Sequence, residues 1–418
     1  NTVVGDEAGT AITTGDKNTA IGKSSLAANT TANQNTAVGY IALTANTTGA
    51  RNTATGALAL YSNTEGADNT AVGNDALAAN TTASNNTAVG ASALDANTTG
   101  ASNASVGKNS LTANTTGSAN AAFGADALGS NTTASNNTAV GTNSLNANTT
   151  GSENTAVGRN ALDANTTAAN NTAVGYAALG ANTTGASNTA VGYSAVAANT
   201  TGIQNTSIGG FSLASNTTAA GNTAIGFGTL YTNTTGASNT AVGLNALNLS
   251  TTASYNTAIG ASSLITNTTG AANTAVGLNT LYANTTGENN VAMGSGALDA
   301  NTTTSGNVAI GASALGANLQ SHNTAVGYLA LTANTTGGNG VAVGKGALES
   351  NTTANNNVAV GLRALNANTT GADNTAMGRD ALYVNTTGHS NVAVGALALD
   401  ANTTANANSA LGYQALSV

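Results

Sequence analysis

Hydrophobic and polar residues alternate along the chain in a unit of 17 residues. The unit is clearest at residues 86–100, which read NTAVGASALDANTTG. With Asn86 as position 1, copies start 25 times between Asn1 and Asn408. A fixed short period indicates a repeat architecture in which each unit packs against its neighbours.

One step breaks the period, and it lies in a polar segment. Asn307 and Asn323 are 16 residues apart, and residues 318–322 replace the usual Asn-Thr-Thr-Gly segment. Deletions are tolerated best in exposed turns. We therefore expect the second half of each repeat to form a surface turn.

Some positions are almost invariant from copy to copy. Position 5 is Gly in all 25 copies, position 9 is Leu in 23, and position 4 is a large apolar residue in all but one. Every Lys and Arg, and every acid except Glu65, falls at position 6, 7, 10, 16 or 17. Because charges are costly to bury, the fixed positions are predicted to lie inside and the variable ones outside.

The residues within one unit favour extended structure. Thr87-Ala88-Val89 alternates polar and apolar residues, and Ala93–Ala96 is a second short extended run. Gly90 separates the two runs, and frequent Gly, Thr and Asn disfavour helix. The sequence predicts an all-β fold: a parallel β-solenoid, or β-roll, of about 25 coils with two strands each, continuous over residues 1–418. Coils about 4.8 Å apart would make a rod of about 120 Å.

Strand alternation predicts which side chains form the core. We expect positions 2, 4 and 9 to point inward, so that Val89 and Leu94 are core residues and Gly90 is a corner. Ala88 and its equivalents would then point outward as a flat apolar ladder. Such a ladder suits close approach of a second chain, although Ala could also simply suit a tight surface.

The repeat resembles the head repeats of trimeric autotransporter adhesins, and also repeats of phage and bacterial fibre proteins. The stretch Asn307-Val308-Ala309-Ile310-Gly311 is the closest match to the Val-Ala-Ile-Gly core of those repeats. The present unit is longer than the adhesin repeat, and the chain shows no neck, stalk or anchor.

The resemblance implies a left-handed parallel β-roll, assembled as a homotrimer or filament and displayed on a cell or virion surface. We expect an extracellular structural or adhesive fibre segment that associates with itself and contacts glycans or host ligands. The chain starts and ends inside a repeat, so we expect it to be a piece of a longer protein.

Composition narrows the function further. Charged residues make up 6% of the chain, the net charge of −8 is scattered, and there is no Cys. No basic stripe is present to hold nucleic acid, and no apolar run approaches the roughly 18 residues of a membrane helix. We therefore expect neither nucleic-acid binding nor membrane insertion by this segment.

Catalysis is not expected either. An active site needs unlike polar groups that converge at one place, which near-identical coils do not supply. His322 and His389 fall on variable turn positions and are expected to be ordinary surface residues. The acids at position 10 are too sparse for a metal ladder; they include Asp95, Asp163, Asp299 and Asp400. The sequence predicts no enzyme activity, cofactor or metal.

The Asn-Thr-Thr triplet is the one chemically suggestive motif. Each copy fits the Asn-x-Ser/Thr acceptor pattern for N-glycosylation, on what should be an outer turn. Asn could instead cap the turn with its side chain. The glycosylation candidates are Asn29, Asn46, Asn80, Asn97, Asn114, Asn131, Asn148, Asn165, Asn182, Asn199, Asn216, Asn233, Asn267, Asn284, Asn301, Asn334, Asn351, Asn368, Asn385 and Asn402.

Two further features leave alternatives open. A regular Thr/Asn ladder could bind carbohydrate or ice, and exposed tyrosines could grip sugars; these are Tyr40, Tyr176, Tyr193, Tyr231 and Tyr282. Position 15 is usually Gly but is Ala in roughly every second or third coil. This alternation is consistent either with old multi-coil duplications or with a periodic lateral contact; the Ala copies are Ala32, Ala83, Ala134, Ala168, Ala219, Ala253, Ala354 and Ala405.

Overall fold

The computed structural model describes residues 1–417; Val418, the last residue of the predicted array, lies outside them. The chain forms two compact units, and the first ends at Asn205. The first unit, Asn1–Asn205, contains strands β1 (Thr2–Val4), β2 (Thr19–Ile21), β3 (Thr36–Val38), β4 (Thr53–Thr55), β5 (Thr70–Val72), β6 (Thr87–Val89), β7 (Ala104–Val106), β8 (Ala121–Phe123), β9 (Thr138–Val140), β10 (Thr155–Val157), β11 (Thr172–Val174) and β12 (Thr189–Val191).

The second unit starts at Thr206 and has the same construction. Its strands are β13 (Thr206–Ile208), β14 (Thr223–Ile225), β15 (Thr240–Val242), β16 (Thr257–Ile259), β17 (Thr274–Val276), β18 (Val291–Met293), β19 (Val308–Ile310), β20 (Thr324–Val326), β21 (Val341–Val343), β22 (Val358–Val360), β23 (Thr375–Met377), β24 (Val392–Val394) and β25 (Ser409–Leu411).

Within each unit every strand pairs in parallel with its copy in the next coil. Thr155 is opposite Thr172 and Ala156 is opposite Ala173, so equivalent residues stack on each other. Each unit is a parallel β-solenoid, and the predicted all-β class and 17-residue coil are confirmed. The left hand implied by the resemblance stays a prediction.

The 16-residue coil keeps the strand register. Val308 of β19 is opposite Thr324 of β20, so the missing residue does not displace the strand. Asn334 still donates from Nδ2 to Oδ1 of Asn318 over 2.9 Å. The shortened segment therefore lies between Asn318 and Asn323. The deletion is therefore absorbed in the polar half of the coil, as the sequence indicated.

The strand faces are the reverse of our prediction. Ala88 and its equivalents are completely buried in every coil between the first and the last, whereas Val89 and its equivalents are partly exposed, as with Val72 at 37% and Met293 at 41%. Thr at position 2 shares the outer face with position 4. The 17-residue coil leaves a narrow interior that Leu and two Asn side chains already occupy, so only a side chain as small as Ala or Ser fits at position 3.

Position 9 was assigned correctly to the core, but its backbone was not. Leu94 is completely buried, yet Ala93–Ala96 forms a turn and not a second strand. Leu94 has a φ of 55° and Ser92 a φ of 53°, in the left-handed region that is disfavoured by roughly 1–2 kcal/mol per residue. The Leu94 amide donates to the Ser110 carbonyl over 2.9 Å, so this turn is bonded from coil to coil as the strand is.

Gly90 occupies the predicted corner. Its φ is 139°, and a Cβ atom built on it would lie 2.5 Å from the Gly107 carbonyl oxygen of the next coil. Real Cβ atoms do not approach a backbone oxygen so closely. The corner therefore requires Gly both for its conformation and for the close stacking of coils.

Candidate functional site

The Asn residues at position 12 form a buried ladder along the coils. Asn46 donates from Nδ2 to Oδ1 of Asn29 in the preceding coil and to the carbonyl of Gly49 in its own coil, both over 2.9 Å. Asn63 repeats the arrangement on Asn46 and Gly66. Stacked amides of this kind satisfy one another, so their burial carries little penalty.

A second buried ladder is built from Asn at position 1. The amide N–H of Asn52 donates to Oδ1 of Asn35 over 2.9 Å, and Nδ2 of Asn52 donates to the Gly66 carbonyl over 2.8 Å. Gly66 thus accepts from Asn52 and from Asn63 at once. This carbonyl joins the start of each coil to its end, and the two ladders together close the coil.

The candidate glycosylation residues do not lie on an outer turn, and this prediction was wrong. Nineteen of the twenty have at most 1% of their surface exposed, and only Asn402, beside the last coil, is partly exposed. Their Nδ2 atoms, which would carry the sugar, instead donate within and between coils. A glycan would replace one of the two Nδ2 hydrogens that make these bonds, and it would not fit inside the coil. The alternative interpretation, Asn as a turn cap, agrees with the bond from Asn46 to Gly49.

The close approach at position 15 limits where Ala can replace Gly. A Cβ atom on Gly49 would lie 2.3 Å from the Gly66 carbonyl oxygen. The Ala copies are buried, as Ala83 and Ala134 show, and each one before Ala405 has Gly at position 15 of both neighbouring coils. Ala residues at position 15 are therefore separated by Gly, and their methyl groups do not stack on one another in adjacent coils.

The Thr residues after each ladder Asn are divided in role. Thr47 donates from Oγ1 to the Thr64 carbonyl of the next coil over 3.1 Å, whereas Thr48 is exposed. One hydroxyl of each pair is thus committed to the coil backbone. On a Thr/Asn face that would bind carbohydrate or ice, the Asn side chains are therefore buried, and only one of the two Thr hydroxyls is left for a ligand.

The accessible regular surface lies instead on the strands. We define the strand face as the outward side chains at positions 2 and 4 of each coil, such as Thr155 and Val157. Position 4 is Val, Ile, Met, Leu or Phe in all copies except Thr55, and no charged residue occurs at positions 1–5 of any coil. Equivalent side chains lie in register on adjacent strands, at a spacing of about 4.8 Å.

A residue pair in the sequence could have revealed the true strand orientation. Ser replaces Ala at position 3 only at Ser105 and Ser207, and each of these coils also has Ser at position 8. Ser105 donates from Oγ to the Ser110 carbonyl over 2.8 Å, and its hydroxyl bonds the Ser110 hydroxyl. Ser207 and Ser212 repeat this contact. Paired polar residues at positions 3 and 8 mean that both face the interior.

The titratable groups are dispersed and mostly exposed. His322 and His389 are exposed, as predicted. Partial burial raises the pKa of the Asp163 and Asp299 carboxyls. Desolvation and the charge of Asp75 raise the pKa of Asp95. Residues 1–417 hold no group of three or more His, Cys, Asp or Glu that could bind a metal ion.

Two exposed ion pairs, Lys23–Asp6 and the closer Arg51–Asp68, join neighbouring coils of the first unit. Arg51 contacts Asp68 with Nε 2.6 Å from Oδ1. A hydrogen bond and the opposite charge lower the pKa of Asp68 and raise that of Arg51. Solvent-exposed pairs contribute little to stability, so we treat both pairs as surface features.

Comparison with known proteins assigns the chain to no family. No protein-family model matches the chain, and a search of curated proteins finds no similar sequence. Within the described residues no helix has the length and hydrophobicity needed to cross a membrane.

Proposed function

We propose that the chain is a structural, self-associating segment of an extracellular fibre, and that copies of the chain pack through their strand faces. The observation that supports this proposal is the uncharged strand face, in which an exposed apolar ladder at position 4 runs beside a ladder at position 2 that is mostly Thr. Exposed apolar surface of this extent is unusual in a protein that stays monomeric.

The size of the strand face supports an interface. In the first unit, twelve strands at a spacing of about 4.8 Å present a stripe about 55–60 Å long. With a width of about 10 Å, two such stripes would bury about 1,200 Å² in total, which is within the range of stable interfaces. The chain has no charged group on this surface that would have to be desolvated.

The periodicity favours a second copy of the chain as the partner. Side-chain ladders interdigitate over many coils only when both partners have the same spacing, and another copy has the same spacing by construction. The resemblance to adhesin head repeats supports a homotrimer displayed outside the cell or virion. The Val ladder replaces the Ala ladder as the proposed contact, because Ala88 and its equivalents are buried.

The molar mass in solution tests this proposal. We expect light scattering after size-exclusion chromatography to give a multiple of the 39.8 kDa chain, three copies for a homotrimer. The mass should persist on dilution into the micromolar range. A mass of one chain at all concentrations would refute self-association.

A further inference from the structure

The second unit contains a surface cleft lined by aromatic rings. The ring centroids of Phe211 and Phe227 are 5.9 Å apart with their planes at 85°. Tyr231 lies 6.4 Å from Phe211 at 73°. We define the aromatic cleft as these three rings together with Gly228, Asn245 and Asn248, which complete its lining.

Two amide side chains lie beside the rings. Asn248 donates from Nδ2 to the Gly228 carbonyl over 2.7 Å, which fixes the orientation of its amide. A Cβ atom on Gly228 would lie 2.6 Å from Oδ1 of Asn245, so Gly at this position makes room for that amide. The cleft thus combines a corner of aromatic rings with one amide of fixed orientation, Asn248, and a second amide beside it, Asn245.

The rings are not used by the core. Phe227 is 57% exposed and Tyr231 is 41% exposed, although both belong to residue types that are normally covered when they cluster. The cleft residues are at positions 6, 7 and 10, whereas the strand face uses positions 2 and 4. Packing of strand faces therefore does not account for the cleft.

The absence of charged residues around the cleft limits the kind of ligand that it could bind. No charged residue and no His occurs between Asp163 and Glu288, a stretch that contains the whole cleft. A charged ligand would find no counter-ion there. Ring faces with a few placed amides instead fit a molecule that has both an apolar face and hydroxyl groups.

We propose that the aromatic cleft binds a neutral saccharide. The C–H face of a pyranose ring would pack on the rings of Phe227 and Tyr231, and its hydroxyls would bond the amides of Asn245 and Asn248. This inference goes beyond self-association, since it assigns a separate ligand site to the second unit.

Saturation-transfer NMR and calorimetry with three neutral sugars test the proposal: cellotetraose, tetra-N-acetylchitotetraose and maltotetraose. We expect at least one of them to bind. Phe227→Ala and Tyr231→Ala should each weaken that binding by about tenfold or more. Tyr282→Ala is the matched control, because Tyr282 is also at position 10 and is 43% exposed but lies outside the cleft.

Circular dichroism should confirm that each variant is folded, and Phe227→Leu replaces Phe227→Ala if the latter is not. The Leu variant keeps an apolar side chain but lacks a ring face, so the same loss is expected. The proposal would be overturned if none of the three sugars binds, or if binding survives both ring substitutions. It would also be overturned if the ring substitutions abolish self-association while no sugar binds, since the cleft would then belong to a chain contact.

Discussion

Oδ1 of Asn233 is buried without a hydrogen-bond donor because Ser250 occupies the equivalent position in the next coil. In most coils this oxygen accepts from Nδ2 of the following Asn, as Asn29 does from Asn46 over 2.9 Å. The Ser250 hydroxyl is also buried and has no partner within residues 1–417. One substitution thus interrupts a ladder that the neighbouring coils of the second unit continue.

Ser250→Asn should restore the ladder and stabilise the protein. The new amide would donate to Asn233 Oδ1 and to the Ala253 carbonyl, and its oxygen would accept from Asn267. Satisfying a buried polar atom is worth about 1–3 kcal/mol, so we expect a rise of that size in the free energy of unfolding measured with urea. Ser250→Ala is the control: it removes the unpaired hydroxyl without supplying an amide, and its effect should be smaller. An Asn variant no more stable than the Ala variant would contradict the ladder as a source of stability.

The reversed strand faces predict opposite tolerance at two adjacent residues. Ala156 is completely buried and Val157 is partly exposed. Ala156→Val should destabilise the protein by about 1–3 kcal/mol because the narrow interior has no space for two more methyl groups. Val157→Ile also enlarges the side chain, but it points outward, and several coils already carry Ile there, so we expect little change. Chemical unfolding of both variants makes the comparison, and equal effects would argue against the observed orientation.

The corner glycine should be nearly irreplaceable. Gly90→Ala places a methyl group on the Gly107 carbonyl at a φ of 139°. We expect a loss of about 2–4 kcal/mol in thermal or urea unfolding. Gly316→Ala serves as the comparison, since Gly316 is at position 10 without a left-handed φ and a Cβ atom there would be 3.4 Å from the nearest atom. If the two variants are equally stable, the corner does not depend on Gly.

Stability should fall as the Asp163 carboxyl at position 10 ionises. Partial burial raises the pKa of Asp163, so folding favours the protonated form of this carboxyl. The associated stabilisation is complete below the ordinary Asp pKa of about 4 and is lost as the pH rises through the raised pKa. Asp163→Asn removes this titration. The variant should therefore gain stability relative to the parent protein between about pH 4 and pH 7, followed by thermal unfolding at fixed ionic strength. A gain that decreases as the pH rises would contradict the burial of this group.

The fold could be predicted from the sequence because every coil has the same pattern of fixed and variable positions. An invariant Gly90, a recurrent Leu94 and charges confined to a few positions are sufficient for a coil that stacks on its copies. The orientation of the strand could not be predicted by size alone. We assigned the larger Val89 to the interior, but in a coil this narrow the interior selects Ala88. The two serine pairs at positions 3 and 8, such as Ser105 and Ser110, were the signal that indicated it.

The Asn ladders were missed for a related reason. Polar residues followed by Thr and Gly are typical of exposed turns, so Asn97 and its equivalents were interpreted as surface residues. Their near-invariance was the available signal, since positions that vary freely are the exposed ones. Bonds from one coil to the next satisfy these amides, and such bonds depend on stacking that no single repeat shows.

The aromatic cleft was only partly visible in the sequence. Tyr231 was noted as an exposed residue that could grip sugars, but Phe211 and Phe227 were not connected with it. They come together because positions 6, 7 and 10 of adjacent coils lie side by side, which follows from the coil geometry. The uncharged stretch between Asp163 and Glu288 was readable from the sequence and marks the same region.

Charge placed on the strand face tests the central claim most directly. Val157→Lys, Val174→Lys and Val191→Lys, combined in one variant, would put three charges on adjacent strands, and sedimentation should then show one 39.8 kDa chain instead of the assembly. The control carries the same three charges in the same coils, at the exposed residues Thr167, Thr184 and Thr201, and should sediment as the parent protein does. Circular dichroism must show that both variants stay folded. A folded strand-face variant that remains assembled, or a control that dissociates equally, would contradict association through the strand faces.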